Sequence, residues 1–254
     1  MLKVIVIGSG NVAQHLIKVL ETSAHTDLVQ AFARHPEKLY HLLNRERIVD
    51  APEALTDADV YILSVSDDAI EEMSSLLPFN NRLVVHTSGS AAIDLMNGKN
   101  RRGVFYPVQT FSKNKDVDFS SVPICIESEY PPDYSTIRQL ANTISESVHT
   151  VTSRQRQVLH VAAVFVSNFT NHMYTIGNSI CDENHISFDI LKPLIIETAD
   201  KIKTLQPQEA QTGPAKRNDI TTIDRHLDLL EGSDFKEIYT VLTKSIQKED
   251  VNEL

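Results

Sequence analysis

Short apolar runs alternate with stretches of helical period through the first part of the chain. Runs at 3–7, 28–33, 47–49, 59–65, 83–87, 103–106, 122–128 and 148–152 read as strands. The segments 11–22, 36–43, 51–55, 67–77, 90–97 and 132–146 read as helices between them. That alternation predicts an α/β class: a Rossmann-type, doubly wound, mostly parallel sheet covered on both faces. After residue 152 the strand pattern stops. Residues 155–182 read as one long helix whose main breaker is Gly177. Residues 187–205 form another, which Pro193 must kink or restart. Residues 219–230 and 234–247 complete an all-helical region. The expected organisation is a doubly wound domain over 1–152 and a helical substrate and dimerisation domain over 153–254, with the substrate cleft between them.

The first strand carries a more specific signal. Val4-Ile5-Val6-Ile7 runs straight into Gly8-Ser9-Gly10-Asn11-Val12-Ala13 and then into a helical stripe of Val12, Leu16, Val19 and Leu20. Gly8 permits the tight turn, Gly10 admits a pyrophosphate to the backbone, and Ala13 lets helix pack on strand. Free N–H groups at the helix start face the anion. An NAD site places an acid about 20 residues on, at the end of the second strand. Here that strand, Leu28 to Ala33, ends in Arg34-His35. Arginine at this place pairs with a 2′-phosphate, so the pattern favours NADP(H) over NAD(H). The alternative is that Arg34 is a solvated loop residue. Carboxyl ends of parallel strands line the crevice of such sheets, which adds Ser64, Val65, Ser66 and Asp67 after the fourth strand. His86, Thr87, Ser88 and Gly89 join them from the fifth. Asp67 or Asp68 is also a candidate helix cap.

Composition narrows the function classes. The chain has 254 residues, 41% of them hydrophobic and 23% charged, enough for one large or two modest cores. A net charge of −10 argues against a nucleic-acid or anionic-membrane partner. No apolar run reaches the roughly 18 residues of a membrane helix, and the N-terminus enters a strand directly, so no signal peptide is expected. Cys125 and Cys181 make neither a disulfide framework nor a metal set, and a reducing, cytoplasmic setting fits. No histidine pair at helical spacing has an acidic partner, so no metal site is expected. No Gly-x-Ser-x-Gly elbow supports a hydrolase.

Candidate chemistry falls on the long helix. His160 lies in an apolar run, His160-Val161-Ala162-Ala163-Val164-Phe165-Val166-Ser167-Asn168. A histidine there is suited to protonating a carbonyl oxygen as hydride arrives. At about 100° per residue, Asn168 stands about 80° from His160 and Asn171 about 20°. The spacing leaves open which asparagine accompanies it, and a packing role for His160 is the alternative. Tyr106-Pro107-Val108-Gln109-Thr110-Phe111 follows the sixth strand and offers Gln109 and Thr110 to a substrate. Thr212-Gly213-Pro214-Ala215-Lys216-Arg217-Asn218-Asp219 makes a fixed turn and a polar helix start. Lys216 and Arg217 are candidates for a substrate carboxylate or cofactor phosphate, or are solvated cap residues. No lysine or tyrosine donor stands out beside His160, and a non-catalytic NADP-binding sensor or scaffold is the alternative to an enzyme.

Taken together and in order, the glycine turn, His86-Thr87-Ser88-Gly89, Tyr106 to Phe111, His160 to Asn168 and Thr212 to Asp219 resemble one family across nearly the whole chain. It is the family of Rossmann-like proteins with a DUF2520 helical domain, oxidoreductases of the NADP or F420-dependent type. More distantly, the plan is similar to pyrroline-5-carboxylate reductase, ketopantoate reductase, prephenate dehydrogenases and β-hydroxyacid dehydrogenases. In the last group a helical lysine supports reduction; this stretch has none, and the nearest upstream basic residue is Arg156. The resemblance implies a homodimer built through the helical domain, and hydride transfer with a small carbonyl, imine or hydroxy substrate. It also admits the deazaflavin F420 as a third cofactor reading.

Overall fold

The computed structural model describes residues 1–113 and 115–251. Asn114 lies outside the described residues, as do 252–254, the end of the region expected to be helical. The chain forms two compact units, Met1–Asn168 and Phe169–Leu254.

The first unit is built on an eight-stranded sheet. Its strands are β1 (Leu2–Ile7), β2 (Thr26–Phe32), β3 (Ile48–Val49), β4 (Val60–Leu63), β5 (Leu83–His86), β6 (Arg101–Pro107), β7 (Ile124–Ser128) and β8 (Val148–Thr150), in the order β3-β2-β1-β4-β5-β6-β7-β8. Every neighbouring pair is parallel except β6 with β7. The strand order reverses at β1 and β4, and the crevice above their carboxyl ends is where such sheets bind ligands. Both faces are buried, which is why the strands read as continuous apolar runs. Val4 and Val6 enter one core cluster, and Ile5 and Ile7 the other.

On the first of these faces, α1 (Asn11–Thr22) buries Ala13, Leu16, Ile17 and Leu20 at helical spacing. The stripe is centred one residue from the expected one, with Val12 and Val19 at its partly buried margins. The same face takes α3 (Asp133–Asn142) through Ile137, Leu140 and Ala141. On the opposite face, α2 (Ile70–Leu76) contributes Ile70 and Met73.

Three expected helices are single 3₁₀ turns: Pro36–Lys38, Pro52–Ala54 and Ile93–Leu95. Leu39 and Leu43 are buried four residues apart, so packing alone produced a helical period over 36–43. Over 90–97, the Ser88 hydroxyl accepts from the N–H groups of Ser90 and Ala91, fixing a side-chain turn at the helix's expected start. Neither Asp67 nor Asp68 caps a helix; the 3₁₀ turn over Asp67–Ala69 and α2 start without side-chain caps.

The long helix exists with an internal change of pitch. α4 (Ser153–Ala163) opens on a capping box between Thr152 and Gln155, passes into a π-helical segment at Val164–Phe169, and continues as α5 (Thr170–Glu183). A π turn advances fewer degrees per residue than an α turn, so the angles expected for Asn168 and Asn171 relative to His160 do not hold.

The second unit contains α5, α6 (Lys192–Lys201), α7 (Pro207–Ala210), α8 (Ile220–Leu229) and α9 (Phe235–Val251). Pro193 sits in the first turn of α6, just after a 3₁₀ turn, so it restarts the helix. The Asp219 carboxylate accepts from the Thr222 N–H at 3.1 Å and caps α8.

Candidate active site

The β1–α1 turn is set by space. Gly8 has φ +137°, and a Cβ there would lie 2.0 Å from the Ser64 carbonyl oxygen. Only glycine fits. The strand ends beside it are tied together: the Gly8 N–H donates to Phe32 O at 2.8 Å, Ser64 N–H to Ile7 O at 2.7 Å, and Thr87 N–H to Leu63 O at 3.1 Å. Gly10 is different. It is the N-cap of α1, no side chain caps the helix, no acid occupies the first turn, and a Cβ there would meet nothing within 4 Å. The helix start is therefore open and positive, which fits a pyrophosphate. Ala13 lies buried beneath the turn, its Cβ 3.5 Å from where a Gly8 Cβ would be. It packs helix on strand and does not line the cleft.

A cleft of about 790 Å³ opens above this turn, and every residue lining it belongs to the first unit. Gly8, Ser9, Gly10, Asn11 and Val12 form its floor; Ser64, Val65, Ser66, Asp67, Thr87, Ser88 and Gly89 form the wall beyond. Arg34 lies at one end, exposed and in the lining, with His35 next to it. The sequence reading stopped at Arg34; adjacency was the signal for His35. Asn11 also ties down the far rim, its side-chain amide donating to Phe111 O at 3.0 Å.

The other end holds Tyr106, Pro107, Gln109, Phe111 and His160. Tyr106 Oη and His160 Nδ1 are 3.1 Å apart, a hydrogen bond in which either can donate according to the histidine tautomer. Burial raises the Tyr106 phenol above its ordinary value, with Cys125 adding to the rise and Arg156 opposing it. Tyr106 thus stays protonated at neutral pH. A Cβ on Gly89 would fall 2.5 Å from His160 Nδ1 and 2.8 Å from Tyr106 Cζ, so the pair rests directly on that glycine's bare backbone. Sequence reasoning missed Tyr106 as a donor. The signal was its place at the carboxyl end of β6, beside β5 in parallel register.

His86 is fully buried below the wall and does not line the cleft. Its Nδ1 accepts from the Ser88 N–H at 3.1 Å, which puts the proton on Nε2, and Nε2 has no partner at hydrogen-bond distance among the described residues. Burial, and after it the Arg156 charge, disfavours the imidazolium and outweighs the opposing pull of the Asp67 charge and the Ala92 backbone. The pKa falls to about 3. His86 is a neutral brace for the Thr87–Gly89 loop. Asp67 accepts from the Ser90 hydroxyl across the cleft mouth.

The remaining candidates lie elsewhere. Thr110 is exposed outside the lining and donates to Gln109 Oε1 through its N–H. Asn168 is exposed on the π-helical segment. Lys216 and Arg217 belong to the second unit, in the turn opened by Gly213 at φ +106°.

Comparison with known proteins bears on the family and the fold. Residues 3–98 match the family model described as NADP oxidoreductase, coenzyme F420-dependent, and residues 122–246 match that of the domain of unknown function DUF2520. A candidate NADP oxidoreductase from Bacteroides fragilis is 36% identical, with 97% of this chain and 98% of that one aligned at a TM-score of 0.88. Two solved structures share the fold at lower identity. A reductive aminase from Aspergillus terreus, complexed with a reduced NADP form, cyclohexanone and allyl amine, is 12% identical over 98% of this chain and 94% of its own, with a TM-score of 0.71. An imine reductase from Myxococcus stipitatus with NADP⁺ is 16% identical over 99% and 94%, with a TM-score of 0.64. No curated protein matches the chain.

Proposed function

The chain belongs to the family of Rossmann-like NADP oxidoreductases with a DUF2520 domain, and from that premise we propose that it transfers hydride between NADP(H) and a small carbonyl, imine or hydroxy substrate. The observation that carries the reading is the Tyr106–His160 hydrogen bond at the end of the cleft whose floor is the glycine turn. NADP(H) is the cofactor class of the family, and its nicotinamide supplies or accepts the hydride when bound. Gly10 and the start of α1 would hold its pyrophosphate, and Arg34 with His35 would pair with its 2′-phosphate.

In the reducing direction Tyr106 gives its phenolic proton to the substrate oxygen or nitrogen, and His160 shares the remaining charge through Nδ1. The substrate gains one hydride and one proton. In the oxidising direction the same pair takes the proton back. Gln109, in the cleft lining, orients the substrate at the rim. We divide the roles at residue 152, the helical region serving substrate and dimerisation. Two free, buried cysteines suit a cytoplasmic setting. No described helix is long and apolar enough to cross a membrane.

Dimerisation through the helical region is supported by unburied apolar area. Among the described residues of the second unit, Cys181, Ala215 and Ile223 are the buried hydrophobics, while Ile190, Ile196 and Leu229 are 70%, 61% and 84% exposed. So much exposed aliphatic surface calls for a cover, and a second copy of the same face supplies one.

The test is NADPH oxidation against a panel of carbonyls and amines, starting with cyclohexanone and allyl amine. Tyr106→Phe and His160→Ala should each lower turnover by about 10²-fold or more, with NADPH affinity within about threefold of native. Binding without turnover on any of the panel would favour a sensor.

A further inference from the structure

Arg156 lies one helical turn before His160 and is entirely buried. Its Nη1 donates to three backbone carbonyls of one loop: Ser88 at 3.0 Å, Gly89 at 3.3 Å and Ala91 at 2.6 Å. Its Nη2 donates to Glu127 Oε2 at 3.2 Å and to Ser153 Oγ at 3.1 Å; Nε has no hydrogen-bond partner among the described residues. Glu127 in turn accepts from the Ser153 N–H and hydroxyl at the start of α4. One guanidinium therefore joins three elements: the loop after β5, strand β7, and α4.

A buried arginine costs several kcal/mol to desolvate, and a hydrophobic residue of similar size is often as stable there. Its retention needs another reason. The carbonyl it grips at Gly89 belongs to the residue on whose bare Cα the Tyr106 and His160 rings meet. A lysine is a point charge, without the fork that reaches three carbonyls and a carboxylate together.

We propose that Arg156 is the positioning residue of the proton-transfer pair, clamping the Ser88–Ala91 loop against α4 and holding a fixed positive charge behind Tyr106, with Glu127 setting its strength. The proposal rests on the reading of Tyr106 and His160 as that pair. A positive charge behind the phenol lowers the cost of the tyrosinate left when the proton departs. The direction in which Arg156 acts on the phenol, against burial, agrees. The groups that act on Tyr106 are His160, hydrogen-bonded to it, Cys125 opposite it on β7, and Arg156 on α4; Asp67 lines the same cleft, and Glu127 faces Arg156.

The test is ¹⁹F NMR on full-length protein grown with 3,5-difluorotyrosine, whose phenol ionises near neutrality. The Tyr106 resonance is identified by its loss in Tyr106→Phe. Arg156→Gln should raise the Tyr106 midpoint by about one pH unit, and Arg156→Lys should restore most of it. Glu127→Gln leaves the cation uncompensated and should move the midpoint the opposite way. Because it keeps the side chain's shape and one of its two acceptor oxygens, this variant decides the matter even where Arg156→Gln does not fold. A folded Glu127→Gln protein with the native midpoint would overturn the proposal. Failure of the underlying reading shows separately, as native turnover in Tyr106→Phe.

Discussion

Gly89 carries more of the site than its size suggests. Adding a methyl group places a carbon inside contact distance of both His160 and Tyr106, so Gly89→Ala must part the two rings. We expect turnover to fall by at least about tenfold, since an ångström of misplacement costs that much or more. NADPH affinity, read by calorimetry, should stay near native. His86 makes a second prediction at this scale. Its pKa is depressed in the folded chain to about 3, against 6.5 without burial. The unfolded chain therefore binds a proton first, and His86's contribution is complete above pH 6.5 and lost as pH falls toward 3. The slope is at most ~1.4 kcal/mol per pH unit over that window. Urea denaturation between pH 7 and pH 4 should show it, and His86→Asn should flatten the curve.

Among elements, the strand–turn–helix unit of β1 and α1 separates folding from binding. Gly8→Ala drives a Cβ into the Ser64 carbonyl at a positive φ, and stability should fall by several kcal/mol. Gly10→Ala has open space and ordinary helical-start geometry, so stability should change by less than ~1 kcal/mol. Its methyl stands where the pyrophosphate must approach, so NADPH binding should weaken at least about tenfold. Thermal melts and titrations of both variants check the pair. All eight strands were legible, because strands buried on both faces leave unbroken apolar runs such as Val4–Ile7. The 36–43 segment misled because Leu39 and Leu43, buried four residues apart, belong to a folded-back stretch, and the 90–97 segment because the Ser88 hydroxyl holds a side-chain turn where a helix would start. The π segment left no readable mark, since its residues are as apolar as an α-helix's. Tyr106 and Arg156 were hidden for another reason. Their roles come from the approach of β6, the β5 loop and α4, residues more than fifty positions apart.

At the level of the whole molecule, the exposed aliphatic side chains of the second unit predict self-association. Sedimentation equilibrium should give a dimer, and Ile196→Asp, on a 61% exposed position, should shift it toward monomer without changing the helical circular dichroism. A native monomer at tens of micromolar would leave that face for another partner. We propose, more narrowly, that the cleft over Gly8 and Gly10 takes NADP(H). One calorimetric titration tests it most directly, with NADPH and NADH added in turn to the native protein and to Arg34→Ala. NADPH should bind at least about tenfold tighter than NADH, a difference of about 1.4 kcal/mol, and Arg34→Ala should erase most of that preference. Equal affinities in both proteins would remove Arg34 and the 2′-phosphate from the account, and binding of neither nucleotide would contradict it outright, moving F420 or another nucleotide to the front.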